Sequence, residues 1–284
     1  MFPSGVHCCA ALKLAERLAE GCCDLIYVDP PFGSGVRRRT AGGRGGFRDG
    51  QAGGLKQYLA FLHPHWGQFR RVLAEHGTLW VHLDWRAAHY VRIQLDTVFG
   101  AENFLNEIIW HYRTGGVSRR WFARKHDTIL VYAKRVGRHR FHVQRGGQYR
   151  TDGLRFEGRR PYKSTRRGRV YFHEDGPALS DVWEVPFLST VSSERAGWPT
   201  QKPLELLRRI VRAGTDRGGV VADFFCGSGT TLVAARQEGR GWVGCDVSAR
   251  AVRIARRRVA EARDQTRPER GRGCYPLPHG RGSD

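Results

Sequence analysis

The chain has 284 residues, 40% of them hydrophobic, which is enough to bury the core of one large domain or of a domain with an insert. Its formal net charge of +21 favours a polyanionic partner, and the polyanion that a basic protein most often meets is nucleic acid. There is no run of about 18 apolar residues and no charged-then-apolar leader at Met1, which argues against a membrane span or a secretory signal and for the cytoplasm.

Ala11, Leu12, Ala15, Leu18 and Ala19 recur at helical spacing and Gly21 closes the pattern, predicting a helix over 9–20. The short apolar run Leu25 to Val28 reads as a buried strand, and it leads directly into Asp29-Pro30-Pro31-Phe32. Gly33 to Gly54, which includes Arg37, Arg38 and Arg39, is dense in Gly and Arg with almost no aliphatic residue; it reads as a mobile basic loop. Leu55, Tyr58, Leu59, Leu62, Trp66, Phe69 and Leu73 predict a long amphipathic helix, bent or split at Pro64. Thr78 to Leu83 is a second buried strand, and Arg86 to Phe99 a helix closed by Gly100. This alternation of strand and helix predicts an α/β fold with a mostly parallel sheet and right-handed crossovers.

From Arg113 to Val170 the character changes. The segment holds 18 Lys or Arg against only Asp127, Asp152 and Glu157, about two thirds of the net charge, with aromatic residues scattered among them. Its one convincing strand is Thr128 to Ala133, so it reads as an insert with little core of its own and an ordered face for nucleic acid. The α/β rhythm resumes with a helix after Pro203, a strand over 219–224, a helix over 230–238, a strand over 241–245 and an Arg-rich helix from Ser248 to about Arg263. The domain reading is therefore a first half at 1–112, a basic insert at 113–197, a second half of the same domain at 198–264, and a disordered Pro, Gly and Arg-rich tail at 265–284.

Two strand ends carry the chemistry. In Asp29-Pro30-Pro31-Phe32 neither proline can donate a backbone hydrogen bond, so the turn offers acceptors, the Asp29 carboxylate and the Pro30 carbonyl, beside the flat face of Phe32. That array suits an exocyclic amine on a stacked aromatic base. Asp223 to Thr230 (DFFCGSGT) is a glycine-rich strand-to-helix turn in which Gly227 and Gly229 let the backbone approach a ligand, and Asp246 ends the next strand where a ribose-binding carboxylate belongs. The turn lacks the Gly-Lys-Ser/Thr of a phosphate loop and the third glycine of a dinucleotide fingerprint, so a nucleoside without pyrophosphate is expected. The seven cysteines lack CxxC spacing; reduced thiols and no metal site are expected.

These residues resemble the DNA amino-methyltransferases that modify adenine N6 or cytosine N4 with S-adenosylmethionine, in the circularly permuted beta arrangement. The base signature of that family is similar to Asp29 to Phe32, its cofactor loop to Asp223 to Thr230, and its extra cofactor segment to Trp198-Pro199-Thr200-Gln201-Lys202-Pro203. The order of base motif, recognition insert and cofactor motifs is also the same, and supporting likeness extends over roughly residues 20–260. The resemblance implies a Rossmann-like methyltransferase fold with helices on both faces of the sheet. It implies catalytic Asp29, Pro30, Pro31 and Phe32. The implied cofactor contacts are Asp223, Phe225, Cys226, Gly227, Ser228, Gly229, Thr230 and Asp246, with Thr200, Gln201 and Lys202. DNA contacts are expected from Arg37, Arg38, Arg39, Arg119, Arg120, Arg124, Lys125, Arg159 and Arg160. One departure is that the acidic or amide pair usual before the first helix is replaced by His7-Cys8-Cys9, which puts cofactor affinity in doubt unless the contact is supplied differently or the start trims an edge strand.

The implied reaction is site-specific methylation of adenine N6 in double-stranded DNA, on a nucleotide rotated out of the stack. Cytosine N4 is the alternative acceptor, and a non-catalytic DNA-binding subunit that kept the fold is the alternative of another class. Enzymes acting on RNA or protein amides usually carry the cofactor loop before the acceptor motif, opposite to the order here. The recognition sequence, a restriction nuclease partner and a homodimer are left open by the sequence.

Overall fold

The computed structural model describes residues 4–31, 54–112, 117–147, 149, 152–189 and 191–264, and the backbone alone at 37–39 and 46–48. In chain order the first elements are β1 (Gly5–Cys8), α1 (Ala11–Arg17), β2 (Cys23–Val28), β3 (Arg37–Arg39), β4 (Gly46–Arg48), α2 (Gly54–Val72), β5 (Leu73–Leu83) and α3 (Ala88–Phe99). β6 (Phe104–His111), β7 (His126–Ala133), β8 (Arg155–Glu157), β9 (Arg160–Thr165), β10 (Gly168–Tyr171) and β11 (Val182–Glu184) follow. The chain closes with α4 (Leu204–Gly214), β12 (Val220–Asp223), α5 (Thr230–Gln237), β13 (Gly241–Asp246) and α6 (Ala249–Glu261).

An eight-stranded sheet in the order β1-β13-β12-β2-β5-β7-β6-β11 organises these elements. Every neighbouring pair is parallel except those made by β7, which runs against both β5 and β6. The short apolar runs follow from burial on both faces. Ile26 and Val28 of β2 pack with α1, α2 and α3, whereas Leu25 and Tyr27 point to the opposite face and pack with α4 and α5. The mostly parallel sheet with helices on both faces is the Rossmann-like arrangement expected.

α2 is not split at Pro64. A helical proline displaces the hydrogen bonding of the preceding turn, and here His65 Nδ1 donates to the carbonyls of Phe61 and Leu62 at 3.0 and 3.3 Å, which supports the helix across that turn. Its apolar stripe, Tyr58, Leu62, Trp66, Phe69 and Val72, is buried against the sheet. Gly100 ends α3 at φ 90°, a conformation that a residue with a Cβ rarely adopts.

The structure redraws the middle of the chain. The insert expected at 113–197 contains β7 and β11, which are strands of the main sheet, and β7 occupies an interior position there. Between these two strands, β8, β9 and β10 form a separate antiparallel meander. Part of the stretch read as a loop from Gly33 to Gly54 is also paired, β3 against β4, and Gly54 begins α2; residues 32–36, 40–45 and 49–53, Phe32 among them, lie outside the described residues, as does the tail beyond 264. β1 supplies an edge strand beside β13, in register Cys8 to Asp246.

Candidate active site

β2 and β12 are neighbours, with Leu25, Ile26 and Tyr27 opposite Val221, Ala222 and Asp223. The turn that begins at Asp29 and the glycine turn that follows Asp223 therefore leave the sheet side by side, at the carboxyl ends of parallel strands. This is where an open α/β sheet binds ligands. A cavity of about 460 Å³ lies between them, within the range of small-molecule sites. Of the residues assigned to cofactor by the sequence, every one but Gly229 lines it, together with Asp29, Pro30 and Pro31.

Asp29 is held by an ion pair. Lys202 Nζ donates to its Oδ2 at 2.5 Å, with both side chains mostly buried. The other carboxylate oxygen, Oδ1, is buried and has no hydrogen-bond partner among the described residues. A buried acceptor without a donor is costly, and the cost is removed when a ligand N–H reaches it. Lys202, assigned to the cofactor from the sequence, lines the cavity and pairs with Asp29.

The glycine turn is built by packing. Gly227 has φ 49°, and a Cβ there would stand 3.0 Å from Trp198 Nε1; Gly229 has φ 76°, and its Cβ would meet that of Ala255 at 2.7 Å. The missing side chain at Gly229 therefore admits α6, and Gly229 does not line the cavity. Arg258 of α6 donates to the Ser228 carbonyl and to the hydroxyls of Ser228 and Thr230 at 2.8, 3.1 and 2.9 Å. Gln201 ties down its own segment before α4: its Oε1 accepts from Ala196 N at 2.8 Å and its Nε2 donates to the Glu194 carbonyl at 2.7 Å. Asp246 accepts from the backbone N–H of Gly227 at 3.0 Å and of Ser248 at 2.8 Å, so it ties the turn to the start of α6 while facing the cavity.

Three carboxylates share this end of the sheet. Asp223 is pushed up to about 7, first by complete burial, against hydrogen bonds from Thr231 and the Phe225 N–H, and further by the charges of Asp29 and Asp246. Burial also raises Asp246. A cationic ligand between them relieves both effects. The Cys226 thiol is pushed well above its usual range by burial and by the nearby carboxylates, so it stays protonated.

Sequence reading missed several contributors. Tyr58, Phe61 and His65 wall the cavity from one edge of α2, and Phe61 and His65 pack against Phe225 at ring separations of 6.4 and 5.6 Å. Their i, i+3, i+7 spacing is the signal that could have found them. Under the cavity Tyr27 hydrogen-bonds His82 Nδ1 at 2.8 Å, and His82 Nε2 bonds Asp127 Oδ2 at 3.2 Å. Burial works to raise Asp127, but the bond from His82 and the charge of Lys202 hold it below its ordinary value. At the end of β1, Cys9 and Ala10 stand at the cavity wall and Cys8 is exposed, so no acidic side chain comes from the position where the resemblance leads one to expect it.

The expected DNA-contacting side chains divide into three places. Arg119, Arg120 and Arg124 are exposed and Lys125 is half-buried in the loop before β7; Arg159 and Arg160 are exposed on the meander. The side chains of Arg37, Arg38 and Arg39 lie outside the described residues.

The DNA methylase family model, the one covering N6 and N4 methyltransferases, matches residues 23–257. The chain belongs to that family. It is 28% identical over 252 residues to the Type II methyltransferase M.HpaI of Haemophilus parainfluenzae, covering 89% of this chain and 73% of that one. It is 25% identical over 264 residues to the DNA adenine methyltransferase YhdJ of Escherichia coli, covering 89% and 81%. Among solved structures, the PvuII DNA methyltransferase, cytosine-N4-specific, shares the fold at a TM-score of 0.61 and 16% identity, over 90% of this chain and 86% of that one. As a DNA methylase of the N6/N4 family, the protein is a DNA amino-methyltransferase that draws its methyl group from S-adenosylmethionine. Among the described residues no helix is long and apolar enough to cross a membrane.

Proposed function

We propose that the protein methylates the N6 amine of an adenine rotated out of duplex DNA, with Asp29 as the acceptor that orients the amine. The observation that carries this reading is the divided Asp29 carboxylate, one oxygen held by Lys202 and the other buried and without a partner among the described residues, beside the glycine turn. The cavity fits the donor: its volume, its wall of Phe61, His65 and Phe225, and the carboxylates Asp223 and Asp246 suit a nucleoside that carries positive charge. Bound there, S-adenosylmethionine supplies a methyl group on a cationic sulfur that departs as a neutral thioether.

The chain contributes position and charge. Asp29 Oδ1 accepts one N–H of the amine, and the Pro30 carbonyl is available for the other. The two bonds draw the nitrogen lone pair out of conjugation with the ring and toward the methyl carbon, and the methylated nitrogen then sheds its surplus proton along the Asp29 hydrogen bond to water. Lys202 keeps the carboxylate from turning away. Phe32 is the expected stacking face for the base. No covalent enzyme intermediate is needed, in line with the protonated Cys226 thiol.

The similarity to an adenine methyltransferase and the Asp before Pro-Pro support adenine. The N4 amine of cytosine presents the same two donors to the same acceptors. Incubating the purified protein with labelled S-adenosylmethionine and unmodified DNA, then hydrolysing and weighing the modified base, decides between them. N6-methyladenine is the expected product. N4-methylcytosine transfers the mechanism to the other base, and failure to bind S-adenosylmethionine would favour a non-catalytic DNA-binding subunit.

A further inference from the structure

The loop that joins β6 to β7 carries an apolar pair in an unusual position. Trp121 is 57% and Phe122 99% exposed, the latter with almost its whole ring in solvent. Residues 117–126 include Arg119, Arg120, Arg124 and Lys125 and no acidic residue. Large apolar side chains held in water point to a partner that covers them, and four cations around them select a polyanion.

The loop has a defined base. Tyr112 N–H donates to the Lys125 carbonyl at 2.9 Å, continuing the β6–β7 pairing past the ends of the strands. Ser118 Oγ accepts from the backbone N–H groups of Arg120 and Trp121, both at 3.3 Å, and bends the tip. The Arg124 guanidinium lies 3.8 Å over the Trp85 ring and 5.2 Å from the Trp121 ring, so it links the tip to the rim of the sheet.

Trp85 follows the carboxyl end of β5, the strand next to β2, and β7 begins at that same end of the sheet. Two strand spacings, about 10 Å, separate β7 from β2 across the sheet, and because Val28 is level with Leu130 through Val81, β7 starts at His126 beyond the end of β2 that presents Asp29. The aromatic tip thus stands on the same rim as the acceptor carboxylate, with cations on both sides of it in sequence.

We propose that Trp121 and Phe122 form a wedge that enters the base stack of duplex DNA and fills the space left by the rotated nucleotide, while Arg119, Arg120 and Arg124 hold the flanking phosphates. This rests on the reading of the chain as a methyltransferase acting on an extruded base. Apolar wedges between base steps offset the loss of stacking, and a base with no partner leaves the duplex more readily. The wedge should therefore matter when the target base is paired and little when it is not.

The test uses the full chain and the sequence it is found to methylate, in one duplex with a paired target and in a second with an abasic site opposite the target. Trp121→Ala/Phe122→Ala is expected to lower kcat/KM on the paired duplex about thirtyfold or more while staying within about threefold of wild type on the abasic duplex. Cofactor affinity should be unchanged, and Phe122→Leu, which keeps an apolar tip, should recover most of the paired-duplex activity. Equal loss on both duplexes, or loss on neither, overturns the wedge. So does conversion of a wild-type dimer into a monomer by the double variant, which would make the patch a subunit interface. A wild-type protein that methylates neither duplex sinks the underlying functional reading instead.

Discussion

Around β2 and β12 almost every residue is buried, and the cavity takes its shape from helices packed on both sheet faces; in the meander, by contrast, every residue of β8 and β10 is exposed. The meander is held by planar contacts in its place, Arg160 4.7 Å over the Tyr171 ring and Arg169 4.7 Å over the Tyr162 ring. A packed core resists small displacements, as a site that must align a methyl carbon with an amine requires. Exposed guanidinium stacks contribute little to stability and leave the cations free to meet phosphates. If, as we propose, the first region carries the chemistry and the second the grip on DNA, variants in each should fail in different ways.

The largest separation is expected at Asp29. Asp29→Ala should lower kcat about a thousandfold, since it removes the acceptor that orients the reacting amine, while DNA affinity and S-adenosylmethionine affinity stay within a few fold of wild type. Single-turnover rates and equilibrium binding on the same preparation check this. Parallel loss of cofactor binding would make Asp29 a structural residue and blur the contrast.

How far the sequence revealed these regions follows the same division. β2 and β12 were legible because burial on both faces leaves an unbroken apolar run, and the motif residues follow those runs directly. The adjacency of the two turns is a topological fact that comes from the pairing of β2 with β12. The Lys202–Asp29 pair was not legible, because the partners are 173 positions apart and only the sheet brings them together. Nor was the role of Gly229, which depends on Ala255 crossing it. β6 and β11 were missed because they are short or carry polar residues such as Asn106, Glu107 and Glu184, so no clean period shows. β8 and β10 bury nothing, and a strand without a buried face has no hydrophobic pattern to read.

A middle-sized effect comes from Asp223, the most buried charge of the packed region. Its folded-state value of about 7 lies above the ordinary 3.8 of the unfolded chain, so between these values the folded protein holds a proton that the unfolded chain has released. The stabilisation from that proton is complete below about pH 4 and disappears as pH rises through 7. Asp223→Asn cannot titrate. The stability of wild type minus that of Asp223→Asn, from urea unfolding, should be more favourable at pH 5 than at pH 8 by about 2 kcal/mol. A pH-independent difference would mean that Asp223 is better solvated than its burial implies.

The smallest effect should come from the meander, and its form matters more than its size. Arg159 is exposed and its one contact near 4 Å is with Glu174; Arg160 covers Tyr171. Surface pairs of this kind contribute little to stability, so Arg159→Gln/Arg160→Gln should leave the unfolding midpoint and the methyl-transfer rate at saturating DNA unchanged. What it should change is the counterion term. Each phosphate neutralised by a cation adds close to one unit to the slope of log affinity against log salt, so losing both should reduce that slope by about two and weaken binding progressively more as salt is lowered. The loss should be similar for specific and unrelated duplexes, because phosphate contacts carry no base information. A slope unchanged from wild type would remove these two arginines from the DNA face. A loss confined to the specific sequence would move them from the backbone to the base edges, and would make the meander the part of the molecule that reads the site.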